Sequence, residues 1–145
     1  MTLPRAEASL QHPEPLVTRG EMARVLVVDD DPLIGQSLRR LLGRECEVVI
    51  ATSAAAALEA VEQSRDFALL LIDLVMPGAD GLQLYESLQV RAPELVPRIV
   101  FMTGGAVSRR ERAFLDKGPK TLVEKPFQAA RMRALVRDAI RASQS

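Results

Sequence analysis

Short uninterrupted apolar runs alternate along the chain with longer stretches in which apolar residues recur every third or fourth position. The most continuous run is Ala68-Leu69-Leu70-Leu71-Ile72, which ends on Asp73 and passes into Leu74-Val75-Met76-Pro77-Gly78. A run this short cannot cross a bilayer and has no helical period, so it predicts a strand buried on both faces, with helices to cover it. Val25-Leu26-Val27-Val28 has the same form and ends in Asp29-Asp30-Asp31-Pro32. Residues 46–51, 99–102 and 122–123 predict three more strands. Between the strands lie five helical patterns. The first carries Ile34, Leu38, Leu41 and Leu42 on one face, with Asp31 as its cap, Pro32 in its first turn and Gly43 at its end. The second runs from Ser53 to about Arg65 around Leu58 and Val61, and the third starts at an Asp80 cap with Leu82, Tyr85 and Leu88 together and leaves between Pro93 and Pro97. Ser108 and Glu111 have capping-box spacing ahead of Ala113, Phe114 and Leu115, a helix closed by Gly118-Pro119. The last helix repeats Met132, Leu135, Val136, Ala139 and Ile140 at i, i+3, i+4 spacing.

Five strands alternating with five helices imply right-handed crossovers and an α/β fold, a doubly wound parallel sheet covered on both faces. Periodicity leaves the strand order open. Residues 1–22, with Pro4, Pro13 and Pro15 and no apolar period, predict a tail or linker, and residues 23–143 one domain. His12, the only histidine, falls in that tail, which argues against an internal histidine base, nucleophile or metal ligand. Nineteen basic and nineteen acidic residues cancel, so overall charge recommends neither nucleic acid nor an anionic membrane, and any electrostatics must be local. Cys46, alone, predicts a buried structural thiol and a reducing compartment. No apolar run approaches the roughly 20 residues of a membrane span, and the N-terminus lacks the apolar core of a secretion signal, so a cytoplasmic location is expected.

Four strand ends carry chemistry: Asp29-Asp30, Asp73, Thr103 and Lys125. In a doubly wound sheet they open on one edge, where sites of this architecture lie. Carboxylates gathered there repel one another unless a cation or proton offsets them. A hard divalent ion suits such oxygen donors, and Mg²⁺ takes one or two carboxylates and keeps several waters. A lysine and a hydroxyl are suited to phosphoryl oxygens. Together these residues point to phosphoryl transfer onto an aspartate.

Val25-Leu26-Val27-Val28-Asp29-Asp30-Asp31, Leu71-Ile72-Asp73-Leu74-Val75-Met76-Pro77-Gly78-Ala79-Asp80-Gly81, Phe101-Met102-Thr103-Gly104-Gly105 and Glu124-Lys125-Pro126-Phe127 together resemble the receiver domain of two-component response regulators, over about residues 24–142. The resemblance implies a flavodoxin-like sheet in the order 2-1-3-4-5 with five helices. It implies that Asp73 accepts a phosphoryl group from a phosphohistidine on a histidine kinase or phosphotransfer protein. Asp30 would ligate Mg²⁺ directly, Asp29 largely through water, with Asp73 and the backbone carbonyl of Val75 completing the protein's share. Thr103 and Lys125 would hold phosphoryl oxygens, and the Lys125-Pro126 bond would be cis. The wording around Thr103 and Lys125 is similar to receivers attached to hybrid histidine kinases. Where receivers often carry Phe or Tyr three residues before the lysine, this chain has Leu122, which puts the usual coupling of Thr103 to the surface in doubt. The expected output is protein contact, including a homodimer through the fourth to fifth helix face, with no nucleic-acid or membrane partner and no DNA-binding domain following. Two rival readings are a Mg²⁺-dependent phosphatase with an aspartyl-phosphate intermediate, although Val75 stands where such hydrolases place a second aspartate, and a degenerate receiver that only binds. Asp31 reads as a cap, and Arg131, Arg133, Arg137 and Arg141 as a solvated helix face.

Overall fold

The computed structural model describes residues 22–118 and 120–144, without the side chains of residues 79 and 80. The tail with His12, Pro119 and the capping role expected of the Asp80 side chain therefore lie outside the described residues. Five strands, β1 (Arg24–Val28), β2 (Glu47–Ala51), β3 (Leu69–Asp73), β4 (Ile99–Thr103) and β5 (Leu122–Glu124), form one sheet in the order β2-β1-β3-β4-β5. Every pairing is parallel, which is the doubly wound arrangement with β1 and β3 at its centre. The α-helices are α1 (Pro32–Leu42), α2 (Ala54–Gln63), α3 (Asp80–Arg91), α4 (Arg109–Asp116) and α5 (Ala129–Ser143).

Strand alternation sorts the core. Val25, Val27, Leu69, Leu71, Val100 and Met102 face Leu38 and Leu42 of α1 and Met132 and Val136 of α5. Leu26, Val28, Leu70, Ile72 and Phe101 face the other way, onto Ala57 and Val61 of α2, Leu82 and Leu88 of α3, and Phe114 of α4. All five residues of β3 are buried, and its three leucines and one isoleucine contribute roughly 1.5–3 kcal/mol each by leaving water. Cys46 sits just before β2, 1% exposed, its thiol donating to the Leu42 carbonyl, as expected of a structural thiol.

Two short 3-10 segments separate the structure from the pattern reading. The stretch from Pro93 to Arg98, expected to be a simple exit, is a six-residue 3-10 helix. In an α-helix the ring of Pro97 would collide with the Pro93 carbonyl, and the tighter winding avoids that contact. Pro77–Ala79 forms the other, with Gly78 at φ 76°, a left-handed conformation that glycine adopts without a Cβ penalty. α1 starts as expected: the Asp31 carboxylate accepts the Leu33 amide at 3.0 Å, with Pro32 in the first turn. No helix among the described residues is long and apolar enough to cross a membrane.

Candidate functional site

A parallel sheet brings the carboxyl ends of its strands to one edge, and the pairing registers bring this edge together. The Asp29 amide, one residue past β1, bonds the Ala51 carbonyl at the end of β2 (3.1 Å). Asp73, the last residue of β3, lies opposite Met102, and Thr103 is one step farther along β4. Thr103 in turn lies opposite Glu124, and its carbonyl accepts the Lys125 amide at 2.7 Å. The Lys125-Pro126 bond is cis.

Lys125 joins the site across the sheet. Its Nζ donates to Asp29 Oδ2 at 2.7 Å and to Asp73 Oδ2 at 3.3 Å. Both carboxylates are buried, 2% and 4% exposed. Their second oxygens are also held: Asp29 Oδ1 accepts the Asp31 amide (2.9 Å) and Asp73 Oδ1 the Val75 amide (3.0 Å). Asp30 is exposed beside them, and one oxygen from each of Asp29, Asp30 and Asp73 lies within 4.8 Å of the others. Burial above all, and then the charge of Asp29, push the Asp73 carboxyl up to about 6, against the pull of the Val75 amide and of Lys125. Burial works against the Lys125 ammonium as well, but its hydrogen bond to Asp29 and the charges of Asp73 and Asp29 outweigh it, leaving the lysine above its usual range. One cation thus faces three carboxylates. Hard oxygen donors with a remaining excess of negative charge fit a divalent cation that completes its shell with water.

The backbone around Asp73 leaves no spare room. A Cβ on Gly81 would stand 2.6 Å from the Asp73 carbonyl and 2.5 Å from that of Leu74, so the first turn of α3 rests directly on the strand end that presents the acid. Gly104 lies against the stem of Lys125, where a Cβ would meet the lysine Cβ at 3.4 Å. Thr103 is buried at the same edge, with its hydroxyl donating to the Gly105 carbonyl at 3.5 Å.

The structure therefore gathers Asp29, Asp30, Asp73 and Lys125, sets Thr103 at the neighbouring strand end with its hydroxyl turned onto its own loop, and engages Val75 through its amide. Leu122 packs at the margin of the apolar cluster that holds Tyr85, Phe101 and Phe114, whose rings meet at centroid distances of 4.9–5.8 Å. Sequence reasoning did not find the lysine bridging two acids, nor the two glycines that let backbone and stem approach. Their only signal was a glycine at the start of the third helical pattern and another directly after the fourth strand.

Comparison with known proteins identifies the family and the fold. The family described as response regulator receiver domain matches residues 25–137. The chain is similar to Response regulator MprA of Mycobacterium ulcerans (strain Agy99), 40% identical over 119 residues covering 79% of this chain and 50% of that protein. It is equally similar to its counterpart in Mycobacterium leprae (strain TN), covering 51% of that protein. The chain thus spans about half the length of these relatives. Among solved structures it resembles a CheY-like response regulator receiver domain protein from Methanospirillum hungatei JF-1, with a TM-score of 0.71, 28% identity, and 85% of this chain and 97% of that one covered. A receiver domain protein from Clostridium thermocellum shares the fold with a TM-score of 0.72 at 22% identity, covering 85% of this chain and 98% of that one.

Proposed function

Since the chain belongs to the response regulator receiver family, we propose that it is a phospho-accepting signalling switch in which Asp73 takes a phosphoryl group from a phosphohistidine on a histidine kinase or phosphotransfer protein. The observation that carries this reading is the Lys125 ammonium held between the buried carboxylates of Asp29 and Asp73. An oxygen of Asp73 attacks phosphorus, the bond from phosphorus to the imidazole nitrogen breaks, and its electron pair stays on that nitrogen. The amide of Val75 orients the attacking carboxylate, and Lys125 moves with the charge from carboxylate to phosphoryl oxygens. The Thr103 hydroxyl leaves the Gly105 carbonyl to donate to another phosphoryl oxygen. Asp29, Asp30 and Asp73, with the backbone carbonyl of Val75, would hold Mg²⁺, which when bound neutralises charge on the transferring group. The added charge of about −1.5 to −2 changes the contacts the domain makes with a protein target. On this reading residues 23–143 are the receiver domain, residues 1–22 a tail or linker, and the compartment the cytoplasm.

A small phosphodonor with Mg²⁺ should label the intact protein at Asp73, as read by mass spectrometry of its peptides, and Asp73→Asn should abolish the label. Persistent labelling of that variant at another residue overturns the assignment. Rapid turnover of phosphomonoesters, lost in Asp73→Asn, would identify a phosphatase instead.

A further inference from the structure

The sheet edge opposite Asp73, where the strands begin, holds a cavity of about 430 Å³ under the C-terminal half of α5. Its walls are largely apolar: Leu69 and Val100 from the starts of β3 and β4, and Leu135, Ala139 and Ala142 from α5. A taper in the helix accounts for the gap. Residues 135, 139 and 142 share one face at i, i+4, i+7 spacing and shrink from leucine to two alanines, so the space between helix and sheet widens towards the end of α5. Arg98 and exposed Asp138 add one charge of each sign to the lining. A cavity of this size falls in the range of ligand sites, and left open it keeps aliphatic surface against water.

The chain enters its fold beside this cavity. β1 starts at the same edge, and the Arg24 carbonyl accepts the amide of Ala68, a lining residue, at 2.8 Å. Val25 lies opposite Leu69, a second lining residue, and both face the side that α5 covers. The residues before Arg24 therefore depart within one strand spacing, about 4.8 Å, of the cavity. Residues 1–21 lie outside the described residues, and their sequence contains a single pair of adjacent apolar side chains, Leu16-Val17. Residues 18–23 separate that pair from β1. At roughly 3.3–3.6 Å per residue they can reach about 20 Å, and Gly20 among them permits a reversal of direction. Glu14 and Arg19 flank the pair, an acid and a base to match Arg98 and Asp138.

We propose that the cavity between α5 and the starts of β3 and β4 is the docking site of this chain's own Leu16-Val17, which fills it in cis. Tethering favours this occupant over others. A segment a few residues from its site is present at an effective concentration in the millimolar range, so a small apolar contact suffices where a separate molecule needs a larger one. A second copy meeting the cavity through the same face would set one hollow against another. The large hydrophobic side chains exposed among the described residues, Leu33, Val75 and Val90, do not border it. The segment before β1 is then a strap across the foot of the domain, and phosphoryl chemistry at the opposite edge does not depend on it.

The test uses the full chain with paired cysteines. Val17→Cys/Ala142→Cys should close an intrachain disulfide, read by mass spectrometry of its peptides, about tenfold faster than Val17→Cys/Val90→Cys. Val90 stands near the end of α3, which packs on the other face of the sheet. Both Val90 and Ala142 are exposed, so neither pair disturbs the core. Adding Leu16→Asp should slow the first pair to the rate of the second. In hydrogen exchange, Leu16→Asp/Val17→Asp should speed the amides of residues 139–143 several-fold, while Leu16→Ile/Val17→Ile leaves them as in wild type. Equal rates for the two cysteine pairs, a rate indifferent to Leu16→Asp, exchange unmoved by the aspartates, or a disulfide between chains would each overturn the proposal. So would a small apolar molecule retained by the wild-type chain in native mass spectrometry.

Discussion

At the scale of single residues, the two buried acids of the site are treated differently, and the difference has a consequence for stability. Asp29 has the closer bond to Lys125, while Asp73 has the longer one and is pushed up to about 6, chiefly by burial. An unfolded carboxylate of this type titrates near 3.9. Folding therefore favours the protonated form of Asp73, so this group's contribution is greatest below about pH 4 and is lost as pH rises to about 6. At one pKa unit per 1.36 kcal/mol, the cost of carrying the ionised acid at neutral pH is on the order of 2–3 kcal/mol. Asp73→Asn keeps an oxygen for the Val75 amide and leaves Asp29 as partner for Lys125. It should raise the midpoint of chemical unfolding at pH 7 without divalent cations, and the advantage should shrink as pH approaches 4. A variant no more stable than wild type at pH 7 would mean that Lys125 already offsets the burial of this acid. Asp29 and Asp73 were legible as chemistry because each ends an apolar run, and Asp30 and Lys125 because they stand just past a strand end. The bridge from Lys125 to two acids was not, because it depends on β1 lying beside β3, which periodicity does not specify.

At the scale of elements, β1, β3 and β4 were readable because burial on both faces demands continuous apolar runs, and α1 and α4 because their caps are local: Asp31 with Pro32, and Ser108 with Glu111. The 3-10 helix at Pro93–Arg98 was not readable, since two prolines announce a break without saying how the chain winds between them. The contact that matters most for the site is between α3 and β3. Gly81 lies in the first turn of α3, where any Cβ would stand 2.5–2.6 Å from the carbonyls of Leu74 and Asp73 at the end of β3. Backbone cannot move aside as a flexible side chain can. Gly81→Ala should therefore cost about 1–3 kcal/mol in urea unfolding, despite alanine's higher helix propensity, and should slow phosphodonor labelling of Asp73 by shifting its carbonyl. A gain in stability, as helix propensity alone dictates, would mean that α3 can slide away from the strand end without consequence.

At the scale of the whole molecule, the acid site and the fold share one stability. Asp29 and Asp73 stand on the two central strands, and Lys125 reaches them from beyond β5, so one ion pair network ties the middle of the sheet to its edge. The charges are not balanced within it, because exposed Asp30 adds a third carboxylate near the other two. A divalent cation that binds only the folded arrangement must then stabilise the entire domain, by about 2.7 kcal/mol when it is present at a hundred times its dissociation constant. For a domain near 120 residues that is a rise in melting temperature on the order of 10 °C. Thermal unfolding with increasing Mg²⁺ should show this rise in the wild-type chain and a much smaller one in Asp30→Ala, while Asp31→Ala, which removes a helix cap, should start from a lower melting temperature and still respond fully. The two variants separate ligation from local helix stability: equal Mg²⁺ responses in both would show that Asp30 plays no larger part in holding the ion than the cap of α1 does.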